Sequence, residues 1–514
     1  MYRSKIKTQK ERNPCLTELY DFLSQPGSRR CRSRIVSLDF VTHDKSPTSR
    51  IIQPTDLLSE LECPQTPPQP GQILIVEDIT PEVVETLGGA LGLDPRFFAS
   101  YISQAWRKLR AQSPQTCALP SRERRQSFVP LYYHRTVVAH GLEPDAAQFV
   151  RTCNHQRKLF VLPPIKGERV GLAQHACAVL KTGRADGRWI GIILVDPPLQ
   201  NDYTQLRSRE TLPTSVSLKP FLGGCEDFED DPIVDTSSPA QQLELGDGDG
   251  TSTRIDRRGM LGELVHHWTT SAQPLAVLHA CTPPSLQALA YLPLRIVAAE
   301  WVNYRTLVEF SVKEHEWVSG GRSSWMDELE GLDKHLRNLQ TWRRRVLASQ
   351  QKMRQIARFL AAPVPGVESA SPRCNNGICC GSRNSISNEP SDLEAAWAAL
   401  RADYAFLGAE IGEHGARVES LVAVVTSGMA LLEGRRSLAE TANVSRLTLL
   451  AFFFLPLSFV ATLFSMGDIN APGGSRFWVY WAVALPLTFI VTLLAQTRLA
   501  VHVLRSLRQW VRER

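Results

Sequence analysis

An α+β cytosolic domain, followed by a long stalk helix and a two-helix C-terminal transmembrane hairpin, is the fold class the sequence predicts. Three observations carry it. Strand-like and helix-like segments alternate between about 34 and 200, a heptad-like seam runs from 393 to 432, and two charge-free apolar runs of 21 residues lie near the C-terminus.

The apolar runs fix the membrane assignment. Arg446 and Asp468 bracket LTLLAFFFLPLSFVATLFSMG, and Arg476 and Arg498 bracket FWVYWAVALPLTFIVTLLAQT. At about 1.5 Å per residue each reaches roughly 30 Å, the thickness of a hydrocarbon core. Two buried core helices would share this composition, but a link of only nine residues, 468–476, makes a membrane hairpin more economical. Phe477, Trp478, Tyr480 and Trp481 stand at one end of the second run, where an interfacial aromatic belt belongs.

The arginines give the orientation. Arg498, Arg505, Arg508, Arg512 and Arg514 crowd the tail, and Arg435, Arg436 and Arg446 precede the first run, whereas the link holds only Asp468 and Arg476. The positive-inside rule then places both termini in the cytosol and the link outside. The expected organisation is a flexible N-terminus (1–33), a cytosolic α/β domain (34–283) with a disordered insertion near 235–259, and a helical region (284–362). A flexible loop (363–390), the stalk helix (391–446), transmembrane helix 1 (447–467), the outer loop (468–476), transmembrane helix 2 (477–497) and a basic tail (498–514) complete it.

In the cytosolic domain, RIVSLDFV (34–41), QILIVED (72–78), SFVPLYY (127–133), KLFVLP (158–163) and RWIGIILVD (188–196) are short runs rich in β-branched and aromatic residues, which predict strands. PEVVETLGGALG and DPRFFASYISQAW lie between the second and third and predict helices, each with proline in its first turn. Strands interspersed with helices predict a central sheet. Helical patterning dominates from about 284.

The stalk follows from spacing. Leu393, Trp397, Leu400, Tyr404, Leu407 and Ile411 alternate four- and three-residue steps; His414 fills one slot, and Val418, Leu421, Val425, Met429 and Leu432 continue. One helix over 391–466 would be about 110 Å long. Such a helix is expected to pack against copies of itself, as a coiled coil in a homo-oligomer. The alternative is packing within its own cytosolic domain.

Composition excludes other classes. With 58 basic and 52 acidic residues the net charge is +6, and no basic stripe interleaved with aromatics appears, so nucleic acid is not an expected partner. The start, MYRSKIKTQKERNPCLTEL, lacks the apolar core of a signal peptide. Eleven scattered cysteines fit a reducing compartment, and the cluster Cys374, Cys379, Cys380 lacks zinc-site spacing. No phosphate loop, nucleophile elbow or metal-ligand pair is present, so an enzyme is not expected, and no cofactor is implied.

On these residues the chain resembles the CorA-type divalent-cation transporter family, in a version of the fungal type with a divergent signature. The resemblance rests on the terminal hairpin with its basic tail, on LTLLAFFFLPLSFVATLF, on the long preceding helix, and on ILIVEDITPEVVETLGGALGLDPRFFASYIS. It implies a homopentamer with the first span lining a pore and the second outside it, and passage of Mg²⁺ or a related divalent ion. The family's Gly-Met-Asn signature is replaced here by Ser465-Met466-Gly467, followed by Asp468.

The residues of the first span support the same reading. Leu447, Ala451, Leu455, Ser458, Thr462 and Ser465 share one helical face, hydroxyl-bearing in its outer half. A polar strip on a span faces a bundle interior or water, although Ser and Thr also serve ordinary helix packing. Hydroxyl rings can contact a hydrated cation, and a ring of Asp468 carboxylates would concentrate cations at a mouth formed by Ser465, Met466, Gly467 and Asp468. Leu447 and Leu455 can form a constriction that gates by dewetting.

The sequence therefore leads to a divalent-cation transporter in a lipid bilayer, for Mg²⁺ first and Zn²⁺, Ni²⁺ or Co²⁺ as alternatives. A non-conducting membrane-anchored scaffold or sensor with the same fold is the other class. The plasma membrane is the expected location, with the vacuole or another membrane as alternatives.

Overall fold

The computed structural model describes residues 2–24, 33–40, 46–62, 71–103, 119, 127–140, 148–184, 187–200, 202–207, 210–224, 242–246, 252–256, 259–281, 283–320, 329–362, 392–464 and 478–491. The chain divides into one unit made of Met1–Gly321 and His335–Val422, and a second made of Arg322–Lys334 and Ala423–Arg514.

The first unit is built on an 11-stranded sheet. Its centre is β3 (Gly71–Glu77) beside β8 (Trp189–Val195), a parallel pair in which Glu77 stands opposite Val195. Every residue of both strands is buried, because helices cover both faces, and that is why they read as continuous apolar runs. β1 (Arg34–Phe40) and β2 (Thr48–Ile52) extend the sheet on one side. On the other side β7 (Val170–Gly183) pairs with β8, with β4 (Phe128–His140) and with β6 (Lys158–Val161). β5 (Gln148–Arg151), β9 (Asp202–Arg207) and β10 (Glu210–Ser215) continue outward, and β11 (Ser217–Pro220) pairs with β4. Within the stretch expected to be disordered, β12 (Gln242–Gly246) and β13 (Ser252–Asp256) form an antiparallel ribbon.

One face of the sheet carries five short helices: α1 (Tyr2–Gln9), α2 (Thr17–Ser24), α3 (Leu57–Glu62), α4 (Pro81–Ala90) and α5 (Pro95–Ile102). α4 and α5 start as expected. Pro81 follows a Thr80 cap whose hydroxyl accepts from the Val83 amide, and Pro95 follows an Asp94 cap that accepts from the Arg96 amide at 2.9 Å. The expectation of a flexible N-terminus is corrected by α1 and α2. Tyr2, Ile6, Leu19 and Phe22 are buried in the same core as Leu74, Val76 and Ile192, and the Tyr2 hydroxyl donates to the Leu93 carbonyl at 3.1 Å.

The opposite face is covered by α6 (Met260–Thr270) and α8 (Leu286–Gly320), with α7 (Ala272–His279) between them in sequence. Arg135 on β4 bonds Glu300 on α8 at 2.8 Å and lies 3.6 Å from Glu263 on α6. A Cβ at Gly191 would stand 3.0 Å from Leu289 Cδ2, so glycine lets α8 pack closely on β8 here without displacing that side chain.

The stalk expectation is half met. α10 (Asp392–Phe464) is one continuous helix of 73 residues. Its seam, however, is covered by its own chain as far as Leu421: Trp397, Leu400, Tyr404, Leu407, Ile411, His414, Val418 and Leu421 are buried. The partners are α8 and α9 (Leu329–Leu360). Trp397 meets Tyr291 edge-on at 5.1 Å, Tyr404 donates to the Leu294 carbonyl, Arg401 donates to the Leu360 carbonyl, and Gly415 sits against Val346 and Gln350. Packing within its own domain therefore replaces the expected packing of this stretch against copies of itself. A helical seam marks which face is covered and is silent on what covers it.

Candidate functional site

In the second unit α10 carries no charged residue from Leu447 to Phe464, and it is the one described helix long and apolar enough to cross a membrane. The second expected span is described as α11, Trp478–Val491, an apolar helix shorter than a span. The two meet at a small contact: Pro456 and Val460 on α10 are buried, as are Ala484 and Thr488 on α11, and the Tyr480 hydroxyl reaches the Leu457 carbonyl at 3.4 Å.

Five of the expected pore-lining residues fall on this helix. Leu447, Ala451, Leu455, Ser458 and Thr462 are all exposed within the chain, Leu455 to 71%. Leu447, Ser458 and Thr462 point away from the buried Pro456–Val460 face. Ala451 and Leu455 edge an apolar cavity of about 320 Å³ that Thr448, Pro456, Phe459, Leu487 and Val491 complete. Ser465, Met466, Gly467 and Asp468 lie outside the described residues, as do Cys374, Cys379 and Cys380.

Two threonine hydroxyls in this stretch of α10 satisfy themselves first. Thr462 Oγ1 donates to the Ser458 carbonyl at 2.7 Å, and Thr448 Oγ1 to Val444 at 2.8 Å. A hydroxyl that has spent its hydrogen on the backbone keeps oxygen lone pairs free, which is the form a cation or its water shell can use. Pro456 lies within the helix and deprives the Phe452 carbonyl of its donor.

The sequence reading missed a buried polar node in the first unit, at the C-terminal ends of the parallel strands. Asp78 follows β3 and Asp196 follows β8, and Asp78 N–H donates to the Val195 carbonyl at 3.1 Å. Asp196 accepts from Arg157 Nε at 2.8 Å, Tyr101 Oη at 2.7 Å and the Ala176 amide at 2.7 Å, with His155 Nε2 3.0 Å away. Burial raises its proton affinity, but Arg157 and His155 outweigh that and hold it well below the carboxylate range. Asp78 goes the other way. Burial, aided by Asp196 and Glu77, pushes it up to about 7 against the Asn154 amide that bonds it. His155 is lowered to about 4 by burial and by Arg157.

This node is closed to solvent, with Asp196 and Arg157 each 1% exposed, and it ties α5, β7 and β8 together; the Asp196 carboxylate is fully engaged, while Arg157 Nη1 is left without a partner among the described residues. An acid placed directly after an apolar strand, in LIVED and ILVD, is the one signal in the sequence; the partners of the two acids come from three distant segments. Among the described residues no group of three or more His, Cys, Asp and Glu is placed to hold a metal ion.

No family model matches the chain, and no curated protein matches it. Among solved structures, that of the full-length CmaX protein aligns over 92% of this chain and 99% of its own at 11% identity, with a TM-score of 0.35. The complete structure of the CorA magnesium transporter from Methanocaldococcus jannaschii aligns over 90% and 97% at 10% identity, with a TM-score of 0.31. The fold given above is that of the chain's own elements.

Proposed function

We propose that this chain is an integral membrane protein that passes divalent metal cations, Mg²⁺ first, through a homo-oligomeric pore, a pentamer, lined by the C-terminal part of α10. One observation carries the reading: α10 continues into a charge-free stretch whose Leu447, Ala451, Leu455, Ser458 and Thr462 are all exposed among the described residues. A face with hydroxyls in an apolar span is stabilised when it meets water or other polar faces. The sequence resemblance to CorA-type transporters, in the fungal-type version, supports the choice of ion class and copy number.

No covalent step is involved. Mg²⁺ loses its water reluctantly, so hydroxyl oxygens at Ser458, Thr462 and Ser465 would contact a hydrated ion, and Asp468 would raise the local cation concentration at the mouth. Leu447 and Leu455 would set a dewetting gate on the inner half. Both termini would lie in the cytosol, with the plasma membrane the first location to examine.

The replaced signature at Ser465-Met466-Gly467 favours a second reading, in which the same fold serves as a membrane-anchored scaffold or sensor that does not conduct. Divalent-cation flux through reconstituted Asp468→Asn and Thr462→Val separates the roles: both variants should pass ions more slowly than wild type. Unchanged flux in both removes the proposed ion contacts.

A further inference from the structure

One cluster in the α/β body has more positive charge than it has partners. Lys352 on α9 places Nζ 2.9 Å from Nε2 of His134 on β4. Two turns earlier, Arg345 lays its guanidinium over the Phe160 ring of β6, 3.8 Å from the centroid, and Lys158 Nζ stands 5.9 Å from the same ring. The His134 ring meets that of Phe160 at 6.0 Å. Arg157, just before β6, is close enough for its charge to act on Lys352.

Three nitrogens of this group are buried with no hydrogen-bond partner among the described residues: His134 Nδ1, Arg157 Nη1 and Arg345 Nε. A protonated Lys352 donates to Nε2, which puts the ring proton of His134 on Nδ1, and in that state all three are donors. A buried donor without an acceptor costs about 1–3 kcal/mol, and folded proteins rarely keep several together. The charges acting on His134, Arg345 and Lys352 are one another's and those of Arg157 and Arg344, with Tyr304 opposing them; the one carboxylate at the cluster is Asp196, which engages Nε and Nη2 of Arg157 and leaves Nη1 over.

We propose that Lys352, Arg345, Arg157 and His134, between β4, β6 and α9, form a binding site for a small oxoanion of the phosphate class. The site offers N–H donors alone, which selects a ligand made only of acceptors, and four donor groups match a tetrahedral oxoanion better than a two-oxygen carboxylate. Arg345 and Lys352 are partly exposed along their side chains, while His134 and Arg157 are buried. Burial and its cationic neighbours bring Lys352 down to about 7, so binding of an anion near neutral pH restores its proton and takes one up from solution. The site is independent of whether the chain conducts ions.

Isothermal titration of the full chain in detergent with inorganic phosphate, and separately with AMP, tests it. Two buffers of different ionisation enthalpy at pH 7.5 and matched sodium chloride complete the design. We expect saturable binding with proton uptake, weakened at least about tenfold in Lys352→Met and in Arg345→Met. Lys313→Met, which removes an exposed lysine paired with Glu309, should bind as wild type does. Binding of AMP as well as phosphate assigns the site to phosphate monoesters; phosphate alone assigns it to the free oxoanion. No saturable heat with either probe, or binding that the two cluster variants retain, overturns the proposal. If Lys352→Met does not fold, Arg345→Met, at the partly exposed member of the cluster, carries the same comparison.

Discussion

Tyr404 on α10 donates its hydroxyl to the carbonyl oxygen of Leu294 on α8 at 2.8 Å, with both residues buried. This bond pins the middle of the α10 seam to the α/β body of the same chain. Tyr404→Phe keeps the ring and removes the bond, and should lower unfolding stability by about 1 kcal/mol. Thermal melts of the detergent-solubilised protein measure it, and an unchanged melt would show that the bond contributes nothing net.

Glycines on α10 separate close packing from mere tolerance. Nothing lies within 4 Å of a Cβ built at Gly408, whereas one at Gly415 would stand 2.9 Å from Gln350 Nε2 and 3.0 Å from Val346 Cγ1. Gly408→Ala should stabilise by up to about 1 kcal/mol through helix propensity. Gly415→Ala has to displace Gln350 and Val346 and should gain less or lose. Equal gains at both sites would mean that α9 and α10 do not approach as described.

The Asp78 carboxyl gives a pH dependence. Its pKa rises from an ordinary value of 3.8 to about 7 on folding, so the folded chain binds more protons than the unfolded one between those values, and stability falls as pH rises through them. Asp78→Asn keeps the acceptor oxygen and tolerates the left-handed backbone at φ 52°. It should match wild type below pH 4 and exceed it at pH 8 by up to about 4 kcal/mol, flattening the slope. A variant slope as steep as wild type would remove Asp78 from this role.

Leu455 tests the gate. It is exposed within the chain, so Leu455→Ser should leave the folded protein intact while wetting the constriction. Resting divalent-cation leak through reconstituted protein should rise severalfold; a leak equal to wild type would place the gate elsewhere.

What was legible in the sequence follows from how each element is buried. β3 and β8 were readable because burial on both faces demands unbroken apolar runs, and α4 and α5 because their caps and prolines mark the starts. β7, the strand that joins β4, β6 and β8, was missed. Its sequence VGLAQHACAVLKTG is poor in β-branched residues, and close packing explains part of that: a Cβ at Gly171 would meet Leu159 at 3.1 Å and Val137 at 3.3 Å. α1 was hidden because its sequence is largely polar and only Tyr2 and Ile6 enter the core. The extent of α10 could be read from spacing, and its partners could not. At the candidate site, Ser458 and Thr462 share a face by arithmetic alone, yet hydroxyls look alike in a pore and in a helix contact. The Asp78–Asp196 node stayed invisible because its members converge only when the parallel strands do.

Entry of Mg²⁺ into liposomes that hold the purified protein and a Mg²⁺-sensitive dye tests the central claim most directly. The account predicts entry above that of protein-free vesicles, growing with the inward Mg²⁺ gradient. Entry no greater than in protein-free vesicles, for Mg²⁺ and for Zn²⁺, Ni²⁺ and Co²⁺ with matching dyes, would contradict it.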